Sequence, residues 1–521
     1  MTTIAEALKI ARKPWVLVQA DFQGLLKRWA VKNLSVPYSA GDPLFFEGRL
    51  LAEPAIGTSF SLESMTCSLR SLEMTIANDG RLQDEEVRRR LDGAKVTVYL
   101  WADGLDWADI ATNGVLFRGY FAKKSHDAKR YAFTVTESPL IEFGAIPRTT
   151  INAATWPSHR TEGGAGSVAG LPQAIVYGDW PRGVPLKCID TSAYKYLAMA
   201  GESDSTDADY TATTVNVYDK DGAVVAAGGF TFYPAGRDGN GGAVSYFDFT
   251  ADKVASEPLS ASIRGIPDSS GFYTGTTDAL IEHPAHIVHH LIATETKTAH
   301  DRIDVQSLKT MAARLPGVKF ATIINKATDA IAVVDRILGQ CAYARTQARG
   351  AAAVFGIHPD APVVYRSGRS SQAGDVVMIS RTPDSKVVND LSVKYGLNPS
   401  TGAYESEMAF DYTNDSLCRL SVYQYGTRPR VTLSYPDVQD EGTARVLAQR
   451  YLSLFAFRHD IVERSEPAFR CIDIVEGDAA ELDVLEGPSV DGAGWVAEKF
   501  ILIERAITGA VINQKWWRVA T

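Results

Sequence analysis

The chain has 521 residues, enough for roughly two to four domains, and its 45% hydrophobic and 22% charged content excludes a disordered chain. A formal charge of −9 lacks the basic footprint of a protein that reads nucleic-acid sequence. Five cysteines (Cys67, Cys188, Cys341, Cys418 and Cys471), odd in number, far apart and without a CxxC pair, indicate neither a zinc ribbon nor a disulfide framework. They fit reduced, buried thiols in a protein made in the cytosol.

The opening "MTTIAEALKIARKPW" has no apolar run of signal-peptide type, and no stretch is apolar for long enough to form a membrane helix. Residues 13 to 150 then read as strands: "PWVLVQADF", "SFSLESMTCSLRSLEMTIAND", "AKVTVYLW" and "VLFRGYFAKKSHDAKRYAFTVTES" are rich in β-branched and aromatic residues. "KKSHDAKR" is the turn of a hairpin, and "DEEVRRRL" (84–91), acids first and bases last, is a short helix. A barrel or sandwich is expected for 1–150.

Residues 151–185 change character. "TEGGAGSVAG" followed by the proline-punctuated "LPQAIVYGDWPRGVPLK" predicts an extended linker. Residues 186–277 form a β insertion, with hairpin turns at Asp221-Gly222 and "AGRDGNGG". Residues 278–370 are the helical middle domain. "HPAHIVHHLIATE" starts with Pro284 at the first helical position, and "KATDAIAVVDRILGQCAYA" puts Ile331, Val334, Ile337, Leu338 and Cys341 on one face, with Thr328 as cap. Strands return in 371–521, including "VVNDLSVKYGL", "CRLSVYQYG" and "PRVTLSY", with a helix in "EGTARVLAQRYLSLFAFR" and closing strands through "KFILIERAITGAVINQKWWRVA". The fold class is mainly β (α+β): two β-barrel-like ends, a helical middle and a β insertion.

Five of the nine histidines fall between His283 and His300. On a helical wheel, Ile287, Val288, Leu291 and Ile292 share one arc, while His286, His289 and His290 take the other. His286 and His290 are spaced to chelate a metal, but Glu282 and Glu295 lie outside that turn. Ile287 stands where a metalloprotease's glutamate would be. The histidine arc is therefore expected to face solvent or a subunit, and no metal site is expected.

No GxSxG elbow or Walker loop occurs. "GGAGSVAG" (163–170) lacks the strand and helix of a dinucleotide loop. "DKDG" (219–222) lacks later calcium ligands, and "KWWR" (515–518) reads as an alternating edge strand. No catalytic residue and no cofactor-binding residue is assigned, and the chain reads as an assembly component with no cofactor.

Several stretches resemble the baseplate hub (tail-tip hub) proteins of tailed bacteriophages. These are "LEMTIANDGRLQDEEVRRRLDGAKVTVYLW", then "LFRGYFAKKS" with Gly119 in an F-x-G strand, "GLPQAIVYGDWP", "HPAHIVHHLI", "KVVNDLSVKYGLNP" with "DSLCRLSVYQYG", and "IDIVEGDAAELD", where Ala479 replaces the expected valine. The order of the pieces, from about residue 14 onward, carries the resemblance. Residues 186–277 have no counterpart.

The resemblance implies a virion protein of the tail tip, made in the bacterial host cytoplasm. It would form a homotrimer whose two barrel-like domains per chain give six around the tail tube. Its implied partners are the tail tube or distal tail protein, the tape-measure protein and other baseplate or fibre proteins. DNA would meet it only in passage. A lumen carrying acids such as Asp103 or Asp411 would let phosphates slide past. The competing readings are a receptor-binding or glycan-degrading tail protein, and a hexameric adaptor between tube and hub.

Overall fold

The computed structural model describes residues 14–519 except 58–59, 62–65, 68–70, 79, 81–92, 138–144, 157, 162–165, 202–215, 226–228, 238–242, 349–350, 368–377, 489–493 and 509–510. The opening 1–13 and the expected helix at 84–91 lie outside the described residues. The chain is mainly β, in several sheets.

Strand-forming composition and alternating burial build the first large sheet. Its order is Leu34–Val36, Leu44–Gly48, Leu25–Ala30, Trp15–Phe22, Lys95–Trp101, Val115–His126, Arg130–Glu137, Ser71–Ala77. The inward side chains meet in one aromatic core. Phe22 stacks on Phe121 at 5.7 Å between centroids, Phe121 lies 4.3 Å from Phe133, and Trp29 is fully buried. Each such side chain contributes about 1.5–3 kcal/mol of burial. Gly119 is required by close approach: a Cβ there would sit 2.3 Å from the Thr136 carbonyl oxygen and 2.6 Å from the Phe117 ring. The F-x-G pattern is thus a phenylalanine ring folded over its own glycine.

The second large sheet runs Val363–Ser367, Ala479–Val484, Trp495–Thr508, Val511–Arg518, Asp460–Pro467, Met378–Arg381. Ile56–Gly57, from the N-terminal region, pairs with Ile507 and Ala506 of its long strand. The two sheets share a Greek-key order. In the first, Lys95–Trp101, Val115–His126 and Arg130–Glu137 form a meander, and the preceding strand Ser71–Ala77 lies antiparallel to its last member. In the second, Ala479–Val484, Trp495–Thr508 and Val511–Arg518 form the meander, with Asp460–Pro467 beside its last strand.

The likeness extends to single hydrogen bonds. Gly93 N–H donates to the Phe121 carbonyl (2.8 Å) and Phe121 N–H to that of Ala94 (3.1 Å). Gly477 N–H donates to the Leu502 carbonyl (2.8 Å) and Leu502 N–H to that of Asp478 (2.9 Å). Both glycines have positive φ, 79° and 93°. A register shift follows at the same place, between Phe121 and Lys123 and between Leu502 and Glu504.

Among the described residues neither large sheet is a closed barrel. Closure needs a continuous ladder between the end strands. In the first sheet no ladder joins the end strands Leu34–Val36 and Ser71–Ala77 among the described residues. Ser71–Ala77 instead meets the residues just after Leu44–Gly48, with a bridge between Leu50 and Ile76, Leu51 N–H donating to the Thr75 carbonyl (3.0 Å) and Ala77 N–H to that of Arg49 (2.8 Å). The end strands of the second, Val363–Ser367 and Met378–Arg381, do not pair.

The 151–185 segment holds two strands. Ile175–Tyr177 pairs with Thr322–Ile324, and Asp179–Pro185 pairs with Ser260–Arg264 of the insertion. The insertion shares a core with this segment, in which Val176 and Trp180 pack with Tyr196, Phe247 and Phe249. At its border Arg160 is clamped by the Tyr196 hydroxyl (2.8 Å), Asp252 (2.7 Å) and Glu257 (2.8 Å).

The largest core joins the helices Pro284–His290, Val305–Arg314 and Ala330–Gln340 to Leu391, Val393, Cys418, Leu447 and Leu452. Described residues of 371–521 are shared among three cores: this one, one built on Val462, Leu482, Leu502 and Trp516, and a smaller one with Leu454, Ile501, Ile503 and Trp517. The strands Leu391–Asn398, Ala403–Phe410 and Val431–Ser434 form a separate three-stranded sheet on the helical side. Three local expectations also change. "CRLSVYQY" is part of the helix Ser416–Tyr425, capped by Asp415 accepting from Cys418 N–H at 3.0 Å. The cap of Ala330–Gln340 is Asp329, not Thr328, which lies in a two-residue strand. Val511–Arg518 lies between two strands and is no edge; Trp516 and Trp517 are buried in it.

Candidate functional site

The histidine helix Pro284–His290 has its proline at the start, as expected, and its own His283 as cap: His283 Nδ1 accepts from Ala285 N–H at 3.1 Å, while Nε2 donates to the Leu315 carbonyl at 3.0 Å. That pattern defines a neutral ring with the proton on Nε2. The arc predicted to face outward is covered. His289 and His290 are 4% and 9% exposed. A helical wheel sees one helix, and the cover comes from another segment, the loop after Pro267–Asp268.

Asp268 shapes that loop. Its carboxylate accepts from the N–H groups of Phe272 (3.1 Å), Tyr273 (2.8 Å) and Thr274 (2.7 Å), and from the hydroxyls of Ser270 and Thr274 at 3.0 Å each. These donors hold its pKa below the usual carboxylate value against the cost of burial. The loop so formed lays Tyr273 edge-on against His289 (4.9 Å) and His290 (5.0 Å), and Phe272 against His289 and His300. On the other side the Tyr177 hydroxyl bonds His290 Nδ1 at 2.7 Å. The YGD segment and the histidine helix, far apart in sequence, thus meet at one buried contact.

Desolvation pushes His283, His289 and His290 down to about 4, which keeps all three neutral at pH 7; His300, His286 and Lys309 add to the effect at His289. Burial also lowers His286, which is half-buried with its ring 5.1 Å from that of His283. The cluster does not assemble a metal centre: Glu282 is engaged by Lys319 (2.9 Å), and no group of three potential ligands is gathered among the described residues. The arrangement is a packed aromatic joint between the loop, the helix and the strand Ile175–Tyr177.

The remaining sequence candidates disperse. Asp219–Gly222 is a hairpin turn in which Asp219 accepts from Asp221 and Ala223 N–H. Residues 163–165 of the glycine-rich stretch lie outside the described residues; within the rest of it, Ser167 Oγ is 2.5 Å from His159 Nε2, whose Nδ1 faces the Trp156 carbonyl. A serine–histidine pair without an orienting acid is a poor nucleophile–base couple. Lys515 sits between Glu463 and Glu504, and Arg518 pairs with Asp460 while lying 4.3 Å over Trp495. Asp103 is exposed at the turn before the helix Trp107–Asn113, and Asp411 is held by Thr413 and Asn414 in another turn. The four cysteines with described side chains are buried and free.

No protein-family description and no curated protein matches the chain. Solved structures similar to it are of tail and virion proteins. The tail protein from Neisseria meningitidis MC58 is 8% identical, with 96% of each chain covered and a TM-score of 0.40. A structure titled as the virion of a native gene transfer agent particle contains a chain 13% identical, over 74% of this chain and 89% of that one, at 0.46. The 43 kDa tail protein of prophage MuSo2 from Shewanella oneidensis is 9% identical over 96% and 98%, at 0.38.

Proposed function

We propose that this chain is a structural, non-enzymatic component of a bacteriophage tail tip: a trimeric baseplate hub that closes the tail tube and frames the channel through which tape-measure protein and DNA leave. The observation that carries the reading is the repeated Greek key, matched down to the Gly93 and Gly477 hydrogen bonds. A chain holding two similar sheets meets a sixfold tube when three copies form a ring, because each copy supplies two of six similar positions. The ordered sequence resemblance to hub proteins supports the same assembly. Tube or distal tail protein, tape-measure protein and fibre proteins are the partners this assigns, with acids such as Asp103 on the channel side.

Light scattering of the purified chain, alone and with its tube protein, tests this, together with electron micrographs of the particles. A trimeric ring with a central opening is expected. A hexamer would make it the adaptor instead, and a monomer that stays monomeric beside tube protein would overturn the hub.

A further inference from the structure

A cleft of about 740 Å³ separates the C-terminal sheet from the helical side of the molecule. Its floor is apolar, formed by Val388, Tyr451, Phe455, Phe457, Ile461 and Trp517. Its rim carries Arg381, Lys386, Arg428 and Arg430, and no carboxylate is among its lining residues, in a chain whose net charge is −9. Each of three rim arginines has an acid beside it: Asp460 at 2.6 Å from Arg381, Asp390 at 2.7 Å from Arg430, and Asp384 at 3.9 Å from Arg428. Asp384 lies between the lining residues Pro383 and Ser385 and is 55% exposed. Asp384 is held more closely by Arg458, at 2.8 Å, and Arg428 Nε is buried without a hydrogen-bond partner among the described residues. Arg381 and Arg430 are each 49% exposed, so both guanidinium groups keep donors to offer.

The walls add a second feature. Met378–Arg381 is the terminal strand of its sheet among the described residues, and Val431–Ser434 is the terminal strand of the three-stranded sheet. Both reach the cleft, through Ser380 and Arg381 on one side and Arg430 and Val431 on the other. Backbone pairing of Met378–Arg381 with Asp460–Glu463 alternates, with Thr382 N–H continuing it to the His459 carbonyl. In such a ladder the amides of Ile379 and Arg381 face away from the partner strand.

We propose that this cleft is a docking site for an extended segment of another protein, in which apolar side chains alternate with aspartate or glutamate. The segment adds a strand to the Met378–Arg381 edge. Its apolar side chains enter between Tyr451, Phe457 and Trp517, and its carboxylates engage Arg428 and Arg430. Main-chain bonds at a sheet edge supply affinity, and pockets for alternate side chains supply specificity. Arginine forks suit carboxylates because two parallel N–H···O bonds form at once. The site stands on the cleft alone and holds whether or not the chain is a hub.

The test is fluorescence anisotropy on the full chain with a labelled peptide of about ten residues, Phe and Leu alternating with Asp and Glu. Binding is expected, at least about tenfold weaker for the double variant Arg428→Glu/Arg430→Glu, and weakened again by N-methylation of alternate peptide amides. Arg428→Gln/Arg430→Gln, with an unchanged unfolding transition, guards against a folding artefact and should show an intermediate loss. Equal binding of a peptide with lysine in place of the acids, or binding unmoved by either double variant or by N-methylation, overturns the proposal. So does an oligomer of the native chain that the Arg428→Glu/Arg430→Glu variant dissociates, since the occupant would then be a second copy.

Discussion

Gly93 and Gly477 hold the same place in two different sheets: each has positive φ, each lies two residues before a meander's first strand, and each donates its N–H to the second strand's carbonyl. Alanine at either position forces an L-residue into left-handed backbone. Gly93→Ala and Gly477→Ala should each cost about 1 kcal/mol in urea unfolding. The second should cost slightly more, since its Cβ also meets Phe355 at 3.3 Å while that of Gly93 meets open space. Two neutral substitutions would dissolve the equivalence of the turns.

Gly119→Ala is a harsher change, because backbone stands in the way. A methyl group 2.3 Å from the Thr136 oxygen must displace the hairpin Val115–His126/Arg130–Glu137. The expected loss is about 3 kcal/mol or insoluble protein. A soluble variant with an unchanged unfolding midpoint would contradict the close approach.

Tyr177→Phe removes the hydroxyl that meets His290 Nδ1 and leaves a buried ring nitrogen unsatisfied. A destabilisation of about 1–3 kcal/mol is expected, read as a shift in urea midpoint at pH 7.5. No shift would mean that the contact is not formed.

Acid should loosen the same joint. His283 and His290 have folded pKa values of about 4, below the model-peptide value of 6.5. Between those limits the unfolded chain binds more protons, so stability is fully present above pH 6.5 and falls as pH drops toward 4. The slope is up to about 1.4 kcal/mol per pH unit for each histidine. Urea titrations at pH 7.5, 6 and 5 measure it, and a flat profile would contradict the buried neutral rings.

Asp268→Ala deletes the acceptor shared by Phe272, Tyr273 and Thr274 N–H. Amide hydrogen exchange in residues 270–276 should accelerate strongly, with the C-terminal sheet unaffected. Unchanged protection there would show that the aromatic contacts hold the loop without Asp268.

Trp107–Asn113, Val305–Arg314 and Ala468–Cys471 were not assigned as helices from sequence. The strand content, the hairpins and the helices Pro284–His290, Ala330–Gln340 and Glu441–Phe455 were legible because each declares itself within a short window. The helix Ser416–Tyr425 was not. Its valine, tyrosines and leucines fit a strand as well as a helix, and only the Asp415 cap and the buried pair Cys418 and Ser421 mark the helical period. The histidine joint was half legible: its spacing identified the helix, but the Asp268 loop that buries His289 comes from a separate segment. The division of 371–521 among three cores was illegible for the same reason, since Leu391 and Leu452 declare burial without saying against what.

Ile56 and Gly57 complete the ladder of Trp495–Thr508. A ribosome adds about 5–20 residues per second, so their partners emerge on the order of 20 to 90 seconds after them. For that interval the nascent chain carries a strand whose mate does not yet exist. At two residues the strand is too short a template to recruit a stray edge from a neighbouring nascent chain. Brevity is what makes the wait safe, and the seam between Ile56–Gly57 and Trp495–Thr508 can close only once the later strand has been made.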